Sequence, residues 1–279
     1  MQQKRVMAIN DISCFGKCSL TVALPVLSAA GLEACPLPTA LLSTHTGGFS
    51  DFTFENLDGQ MMPITAHWKK LGLEFDAIYS GYLASNEQIE YVSEIIGSFK
   101  KESTTVLIDP VMGDNGKLYT GFDTAFAQKM RKLCQKADII VPNITETSYL
   151  LDIPFLESYS RENIEDIFKR FAALDIKNAV VTGIPLENGK VGCAFSEKEN
   201  IAVLENNMVE GMYHGTGDVF ASAFLGAFMK NGDIYKSVAL AQKYVYDCIL
   251  HTKERCGTSH YGIDFEPLIG DFCESLQKL

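Results

Sequence analysis

Residues 214–228 read His-Gly-Thr-Gly-Asp-Val-Phe-Ala-Ser-Ala-Phe-Leu-Gly-Ala-Phe. Gly215 and Gly217 lack a Cβ, so this stretch can turn tightly and present bare N–H groups. The small apolar residues that follow predict a buried helix, and free N–H groups at a helix start favour an anion. Asp218 could accept a proton from a substrate hydroxyl while those N–H groups hold a transferred phosphoryl group. The stretch is therefore a candidate phosphoryl-transfer centre.

Taken alone, the same residues also fit an ordinary helix start in which Asp218 is only a capping residue. A dinucleotide fingerprint is disfavoured at this stretch because Phe220 stands where the third glycine would be. No such fingerprint follows the first strand either, and its absence there argues against a dehydrogenase. A Walker loop is disfavoured because no Gly-Lys pair is followed by Ser or Thr; the pairs are Gly16-Lys17, Gly116-Lys117 and Gly189-Lys190.

Short apolar runs alternate with helical patterns along the rest of the chain. The runs predict buried parallel strands at Val6–Ile9, Ala77–Tyr79, Val106–Ile108, Ile139–Val141 and Ala179–Thr182. Between them, apolar residues recur at helical spacing after Ser85 and after Ser160, which is a plausible N-cap. This alternation predicts a parallel sheet with helices on both faces, and the absence of linkers or repeats predicts one domain over residues 1–279.

Ligands of an open parallel sheet bind at the carboxyl ends of its strands. The residues found there are Asn10-Asp11, Ser80-Gly81-Tyr82, Asp109-Pro110, Pro142-Asn143 and Gly183. Asp109 and Glu146 are carboxylates that suit magnesium held with nucleotide phosphates, although each alone also fits a surface or capping role. The polar and aromatic segment 43–63 has the composition of a loop that covers a ligand pocket.

The charge balance narrows the classes of partner. The chain of 279 residues has 24 Lys and Arg against 35 Asp and Glu, a net charge of −11, which disfavours nucleic acid and anionic membranes. No signal peptide and no apolar run long enough for a membrane helix is found, so we expect a cytoplasmic protein. The eight cysteines are scattered along the chain, as is typical of reduced thiols in a reducing compartment. Cys14 and Cys18 lie near the end of the first predicted strand, where one of them could touch substrate.

Three motifs in this order resemble the ribokinase superfamily: Asp109-Pro-Val-Met-Gly-Asp114, Asp138-Ile-Ile-Val-Pro-Asn143-Ile-Thr-Glu146 and Gly215-Thr-Gly-Asp218. Residues 42–47 and 79–83 are similar to the pattern of the vitamin B6 kinases within it. The similarity extends from about Met7 to the final helices. It implies a ribokinase-like three-layer α/β/α fold with a central, mostly parallel sheet flanked by helices. It also implies transfer of phosphate from ATP to the 5′-hydroxyl of pyridoxal, pyridoxine or pyridoxamine.

The resemblance also implies roles for individual residues. The transfer centre would be the base Asp218 with an anion hole of Gly215, Thr216 and Gly217. ATP would be bound by Asp109, Asp114, Tyr119, Asn143, Glu146, Thr182, Gly183 and Thr216, under a short lid at 113–121. Asp109 and Glu146 would organise Mg²⁺ and a monovalent cation such as K⁺. The B6 vitamer would contact Asp11, His45, Thr46, Tyr82 and Asp218. Related enzymes are commonly homodimers, so we expect one here.

Departures from the family pattern leave the substrate open. Many B6 kinases carry serine where Asp11 stands, and an aspartate would favour an amine or a protonated ring. Gly183 is serine in some relatives, so one nucleotide contact would be missing. Two alternatives are a hydroxymethylpyrimidine kinase of thiamin synthesis and a catalytically idle protein that binds B6 or nucleotide. Residues 13–17 differ from the glycine-rich region of the hydroxymethylpyrimidine kinases, which is modest evidence against the first alternative.

Overall fold

A mostly parallel sheet forms the centre of the protein. The computed structural model describes residues 3–187, 189–197, 200–257 and 261–279. Six strands are hydrogen-bonded in the order β3-β2-β1-β4-β5-β8, and only β3 is antiparallel to its neighbour. Their bounds are β1 Arg5–Phe15, β2 Glu33–Thr44, β3 Phe54–Asn56, β4 Ala77–Ser80, β5 Thr105–Ile108 and β8 Ile139–Ile140.

Three antiparallel strands extend this sheet beyond β8. They are β9 Val180–Pro185, β10 Lys190–Glu197 and β11 Asn200–Asn207. Parallel bridges from Ile140 to Ala179 and from Asn143 to Thr182 join β9 to the central sheet. A separate hairpin of β6 Gly113–Asp114 and β7 Lys117–Leu118 lies after β5.

Helices cover both faces of the sheet because its strands are apolar on both sides. In β1, Met7 and Ile9 belong to one hydrophobic core, while Val6 and Ala8 belong to the other. The first core contains side chains of α2 Asp58–Lys70, α3 Asn86–Phe99, α4 Thr124–Cys134, α5 Ile144–Leu151 and α6 Arg161–Ala173. The second contains side chains of α1 Leu20–Ala29, α7 Thr216–Asn231, α8 Ile234–Cys256 and α9 Ile269–Gln277. The three-layer prediction is confirmed.

The predicted strands and helix starts are also found. Ser85 caps α3 by accepting the Gln88 N–H, and Ser160 caps α6 within a capping box completed by Asn163. Such caps satisfy N–H groups that have no partner inside the helix. No helix of the described ranges has the length and apolar character needed to cross a membrane.

Two sequence-based boundaries were wrong. The first strand does not end at Ile9 but continues to Phe15, with a register shift between Asn10 and Ile12. A shift of this kind lets polar residues remain in an inner strand. The segment 43–63 is a loop only at 45–53, because its ends belong to β2, β3 and α2. Pro63 lies inside α2, where the Met61 and Thr65 side chains bury one face against the core.

Candidate active site

The turn before α7 depends on Gly215. This residue caps the helix with a φ of 77°, in the left-handed region that glycine adopts without strain. A Cβ on Gly215 would lie 2.0 Å from the Lys17 carbonyl oxygen, so the loop at Lys17 leaves no room for a side chain. At Gly217 a Cβ would meet nothing within 4 Å. The helix start is therefore packed on one side and open on the other, as a site for an anion requires.

Asp218 lies in the first turn of α7, next to the middle of β1. Its Oδ1 is 3.4 Å from the Asn10 amide nitrogen. Burial raises the pKa of Asp218 to about 6, and the Asp11 charge acts in the same direction. The Ser19 backbone N–H and the Asn10 amide oppose that pKa shift by favouring the carboxylate. The result is a carboxyl group that can gain and lose a proton near neutral pH.

A cavity of about 420 Å³ opens beside this turn. It is lined by all eleven residues that the sequence analysis assigned to ATP or to the transfer centre. The lining includes Asp109, Asp114, Tyr119, Asn143, Glu146, Thr182, Gly183, Gly215, Thr216, Gly217 and Asp218. The structure thus brings together residues that are up to 109 positions apart in the chain, from Asp109 to Asp218.

Sequence reasoning missed a second wall of this cavity. It is formed by 206–209, Gly211, Tyr213 and His214 on the segment before α7, and by Gln242, Val245, Tyr246 and Ile249 of α8. In the sequence, the α8 residues are part of an ordinary helical stripe. Val245 and Ile249 are apolar, and such side chains alone carry no signal that separates a cavity wall from a core.

Glu146 and Asn143 form a capping box at the start of α5. The Asn143 side chain accepts the Glu146 N–H at 2.8 Å, and Glu146 Oε2 accepts the Asn143 N–H at 2.8 Å. Glu146 Oε1 also accepts the Met112 N–H at 3.1 Å. Burial nevertheless raises the pKa of Glu146 to about 8. These two residues therefore line the cavity while also fixing the helix start.

The hairpin of β6 and β7 is attached to the start of α5 in the wall of the cavity. The Asn143 amide donates to the Gly113 carbonyl at 2.8 Å, and the Gly116 N–H donates to the Thr145 hydroxyl at 2.9 Å. Asp114 lies on this hairpin and Tyr119 just after it, and both line the cavity. The expected lid at 113–121 thus corresponds to a short hairpin, and its closure over nucleotide stays a prediction.

Asp109 and Glu146 are the residues expected to hold magnesium. Asp109 is buried, and burial together with the Glu146 and Asp218 charges raises its pKa well above the usual range. Within the described residues no cluster of three His, Cys, Asp or Glu could hold a metal by itself. Two buried carboxylates that repel each other fit a hard cation whose other ligands come from water and phosphate. Since both Glu146 oxygens already accept backbone N–H groups, Asp109 is the better placed direct ligand.

The predicted substrate residues Asp11 and Tyr82 lie near Asp218, on the side of Asn10. The Asn10 side-chain oxygen accepts the Tyr82 N–H at 2.8 Å and the Asp11 N–H at 3.0 Å. Asp11 is buried, accepts the Ser13 hydroxyl at 3.0 Å, and has a raised pKa chiefly because of burial. Burial and the Asp11 charge raise the pKa of Tyr82 to about 12. Asn10, which the sequence analysis noted without a role, connects these residues to Asp218.

His45 and Thr46 occupy the loop at 45–53. The His45 ring packs against His214 at 5.2 Å and against Phe49 at 5.0 Å between ring centroids. A Cβ on Gly47 would lie 2.7 Å from the His214 ring, so the loop rests directly on the residue before Gly215. Thr46 is exposed, and its contact with substrate stays a prediction. Cys14 is exposed, while Cys18 is buried with a pKa raised mainly by burial, so Cys18 is protonated at neutral pH.

The family model described as phosphomethylpyrimidine kinase matches residues 23–264. A crystal structure from Bacteroides thetaiotaomicron, provisionally named a phosphomethylpyrimidine kinase and crystallised with pyridoxal, is 35% identical with a TM-score of 0.90. The alignment covers 99% of this chain and 96% of that one. The pyridoxal kinase structure from Lactobacillus plantarum is 28% identical with a TM-score of 0.89 and 98% coverage of both chains.

A curated relative, the pyridoxine/pyridoxal/pyridoxamine kinase of Bordetella avium, is 25% identical over 261 residues. That alignment covers 89% of this chain and 85% of the relative. The similarity therefore spans both the sheet and the turn at Gly215, and it is not restricted to one motif.

Proposed function

This chain belongs to the phosphomethylpyrimidine kinase family, and we propose from that premise that it phosphorylates a vitamin B6 vitamer with ATP. The acceptor is the 5′-hydroxyl of pyridoxal, pyridoxine or pyridoxamine. The resemblance to the vitamin B6 kinases is confirmed, since relatives named pyridoxal kinase align over most of the chain. The printed names of these relatives, and the pyridoxal in one related crystal, support the choice of acceptor.

The single observation that carries the proposal is the position of Asp218. It lines the cavity with Asp109 and Glu146, and it also touches Asn10, which binds the backbone of Asp11 and Tyr82. A nucleotide in the cavity and a small hydroxymethyl compound beside Asp11 would meet at this carboxylate. Such placement of two reactants is a large part of catalysis in phosphoryl transfer.

The chemistry follows from the protonation state of Asp218. Above pH 6 this carboxylate can take the proton of the acceptor hydroxyl as its oxygen bonds to the γ-phosphorus. The bond from that phosphorus to the β–γ bridging oxygen breaks, and ADP leaves with the electron pair. The open N–H groups at the start of α7 stabilise the charge on the transferred group.

Magnesium would be held by Asp109, with Glu146 acting through water. When bound, the ion supplies positive charge against the phosphate oxygens. Burial raises the pKa of both carboxyl groups, and a bound cation would favour their charged forms and offset the repulsion between those forms and the nucleotide phosphates.

A second candidate is phosphorylation of hydroxymethylpyrimidine. The description of the matching family model and the provisional name of the Bacteroides protein favour it. Both acceptors are small hydroxymethylated heteroaromatic rings, so the side chains near Asp11 decide between them. The buried carboxyl of Asp11 would accept a hydrogen bond from a protonated ring nitrogen, and because a pyridine nitrogen is more basic than a pyrimidine nitrogen, this favours a B6 vitamer.

The test is ADP release measured in a coupled assay with each of the three vitamers and with hydroxymethylpyrimidine. We expect the highest kcat/KM with a B6 vitamer. A preference of tenfold or more for the pyrimidine would replace our assignment with the second candidate. ATP binding without turnover of any of the four compounds would support a catalytically idle protein.

Asp218→Asn is the matched variant for this assay. Loss of the base should lower kcat by roughly 10²–10⁴-fold while ATP still binds. Equal activity of the variant and the wild type would remove Asp218 from the mechanism.

We also propose a cytoplasmic location and a homodimer. Each of the eight cysteines is a free thiol in the structure, which fits a reducing compartment. Leu41 on β2 and Phe54 on the edge strand β3 are exposed apolar side chains that a second copy could cover. Light scattering during size-exclusion chromatography would report the oligomeric state, and a monomer at working concentrations would contradict the proposal.

A further inference from the structure

An ion cluster around the buried Asp264 connects the loop after β1 to the segment after α8. Asp264 is 4% exposed, and its carboxylate accepts Lys17 Nζ at 2.7 Å. Arg255 of α8 also binds this carboxylate, through Nε and through a second nitrogen at 3.1 Å. The Asp264 N–H donates to the Thr252 hydroxyl at 2.8 Å, which fixes the carboxylate relative to α8. His251 Nδ1 lies 3.8 Å away, and Glu266 binds the outer side of Lys17 at 2.8 Å.

The backbone of Lys17 is held as firmly as its side chain. Its N–H donates to the Tyr261 carbonyl at 2.6 Å. Gly262 has a φ of 120°, and a Cβ there would lie 2.6 Å from the Lys17 Cβ and 2.8 Å from its carbonyl oxygen. The segment after α8 therefore contacts Lys17 in three ways: through a main-chain hydrogen bond, through the close approach of Gly262, and through the ion pair with Asp264.

The opposite side of Lys17 meets the transfer centre. Its carbonyl oxygen is the atom that a Cβ on Gly215 would approach to 2.0 Å. Two residues further along, the Ser19 N–H faces the Asp218 carboxylate. The same segment after α8 also binds the turn directly, since the Ile263 N–H donates to the His214 carbonyl at 3.2 Å.

We infer that Lys17 and Asp264 are positioning residues for phosphoryl transfer: their ion pair holds the 16–19 loop against the Gly215–Asp218 turn. Neither residue is among the described residues that line the cavity. It acts through backbone, by setting where the Lys17 carbonyl and the Ser19 N–H lie. This inference rests on the proposed function, but one of its measurable consequences does not need turnover.

Substitution of Lys17 and substitution of Asp264 leave different groups unpaired. Loss of the Lys17 ammonium leaves Asp264 still paired with Arg255, so Lys17→Met removes the link to the loop without leaving an unpaired buried carboxylate. Asp264→Asn weakens the link to both cations. Lys17→Arg keeps a cation on the loop and is the conservative rescue.

The experiment compares wild type, Lys17→Met, Lys17→Arg and Asp264→Asn. We expect Lys17→Met and Asp264→Asn to lower kcat by roughly 10-fold to 100-fold with a much smaller change in the KM for ATP, since a small misplacement at the reacting centre costs rate. Lys17→Arg should recover most of kcat. Hydrogen exchange at the Ser19 amide, followed by NMR, should be at least about tenfold faster in the two disrupting variants.

Two controls separate positioning from general loss of stability. Ile167→Ala removes a core side chain of α6, away from the cavity, and should lower the thermal midpoint while leaving kcat and Ser19 exchange near wild type. Lys129→Met removes an exposed ion pair with Glu90 and should change nothing. Unchanged Ser19 exchange in both Lys17→Met and Asp264→Asn would overturn the inference, as would an equal kcat loss in Ile167→Ala. If the wild type itself transfers no phosphate, the proposed function fails, while Ser19 exchange still decides the inference.

Discussion

At Asp218, burial and the neighbouring groups act on one carboxyl in opposite directions. Burial and the Asp11 charge raise its pKa to about 6, while the Ser19 N–H and the Asn10 amide restrain that shift. A base with an unshifted pKa would be a weak proton acceptor, and one shifted much further would be protonated at neutral pH. The structure places the group between these limits.

This pKa predicts the acid side of the pH profile. The carboxylate is the active form, so kcat should rise about tenfold per pH unit below pH 6 and level off above it. Asp11→Asn removes a like charge and should move the midpoint to lower pH. A midpoint that moves to higher pH in this variant would contradict the assignment. The measurement is kcat at saturating substrates between pH 5 and pH 8, values chosen to bracket the expected midpoint.

The two glycines of the turn should respond differently to alanine. Gly215→Ala places a Cβ 2.0 Å from the Lys17 carbonyl at a φ of 77°, so it should lower both the thermal midpoint and kcat. Gly217→Ala meets nothing within 4 Å in the protein, so the fold should tolerate it. If the open space beside Gly217 holds a phosphate, Gly217→Ala should raise the KM for ATP or lower kcat at an unchanged thermal midpoint. Full activity in Gly217→Ala would place the phosphate elsewhere.

Among the helices, α5 and α6 begin with the same kind of capping box in different surroundings. The box of α6 joins Ser160 and Asn163 away from the cavity, whereas the box of α5 joins Asn143 and Glu146 in its wall. Asn143 also holds the hairpin of β6 and β7 through the Gly113 carbonyl. The capping box of α6 thus stabilises only its helix. The capping box of α5 stabilises its helix and also forms part of the cavity wall.

Alanine at the two caps tests this difference. Ser160→Ala should lower the free energy of unfolding by about 1 kcal/mol and leave kcat unchanged, because only helix N–H groups lose a partner. Asn143→Ala should cost a similar free energy of unfolding and should also raise the KM for ATP, because the hairpin loses its hydrogen bond from Asn143 to the Gly113 carbonyl. Denaturant titration and steady-state kinetics on both variants are the measurements. Equal kinetics in the two variants would show that the α5 cap has no role in the site.

For the molecule as a whole, the sheet brings four buried carboxyl groups to one region. Asp11, Asp109, Glu146 and Asp218 come from separate parts of the chain and all have raised pKa values through burial. A carboxyl whose pKa is raised by folding stabilises the protein most below its unfolded value of about 4. That contribution is lost as the pH rises through the folded values, about 6 for Asp218 and about 8 for Glu146.

Magnesium and nucleotide should compensate for this charge together. We expect Mg²⁺ with ADP to raise the thermal midpoint at pH 8 well above the effect of ADP with EDTA, because ligand binding to the folded state stabilises it. Asp109→Asn should remove most of the difference between the two conditions. Equal midpoints with and without Mg²⁺ in the wild type would argue against a cation between Asp109 and the phosphates. Differential scanning fluorimetry is sufficient for this comparison.

Local patterns in the chain predicted the layers, the strands, the helix after Ser85, the cap at Ser160 and most of one cavity wall. These features follow from the spacing of apolar residues, from the conformational propensities of neighbouring residues, and from the rule that the carboxyl ends of parallel strands meet at one edge of the sheet. Spacing and propensity can be read within a few residues of the chain. The extension of β1 past Ile9, the α8 wall and the Lys17–Asp264 pair were not predicted. Each depends on contacts between segments far apart in the chain, such as the 247 positions between Lys17 and Asp264. Only packing of the whole chain decides which distant groups share a buried, low-dielectric space, and so only the tertiary structure assigned Asp218 its neighbours and its pKa.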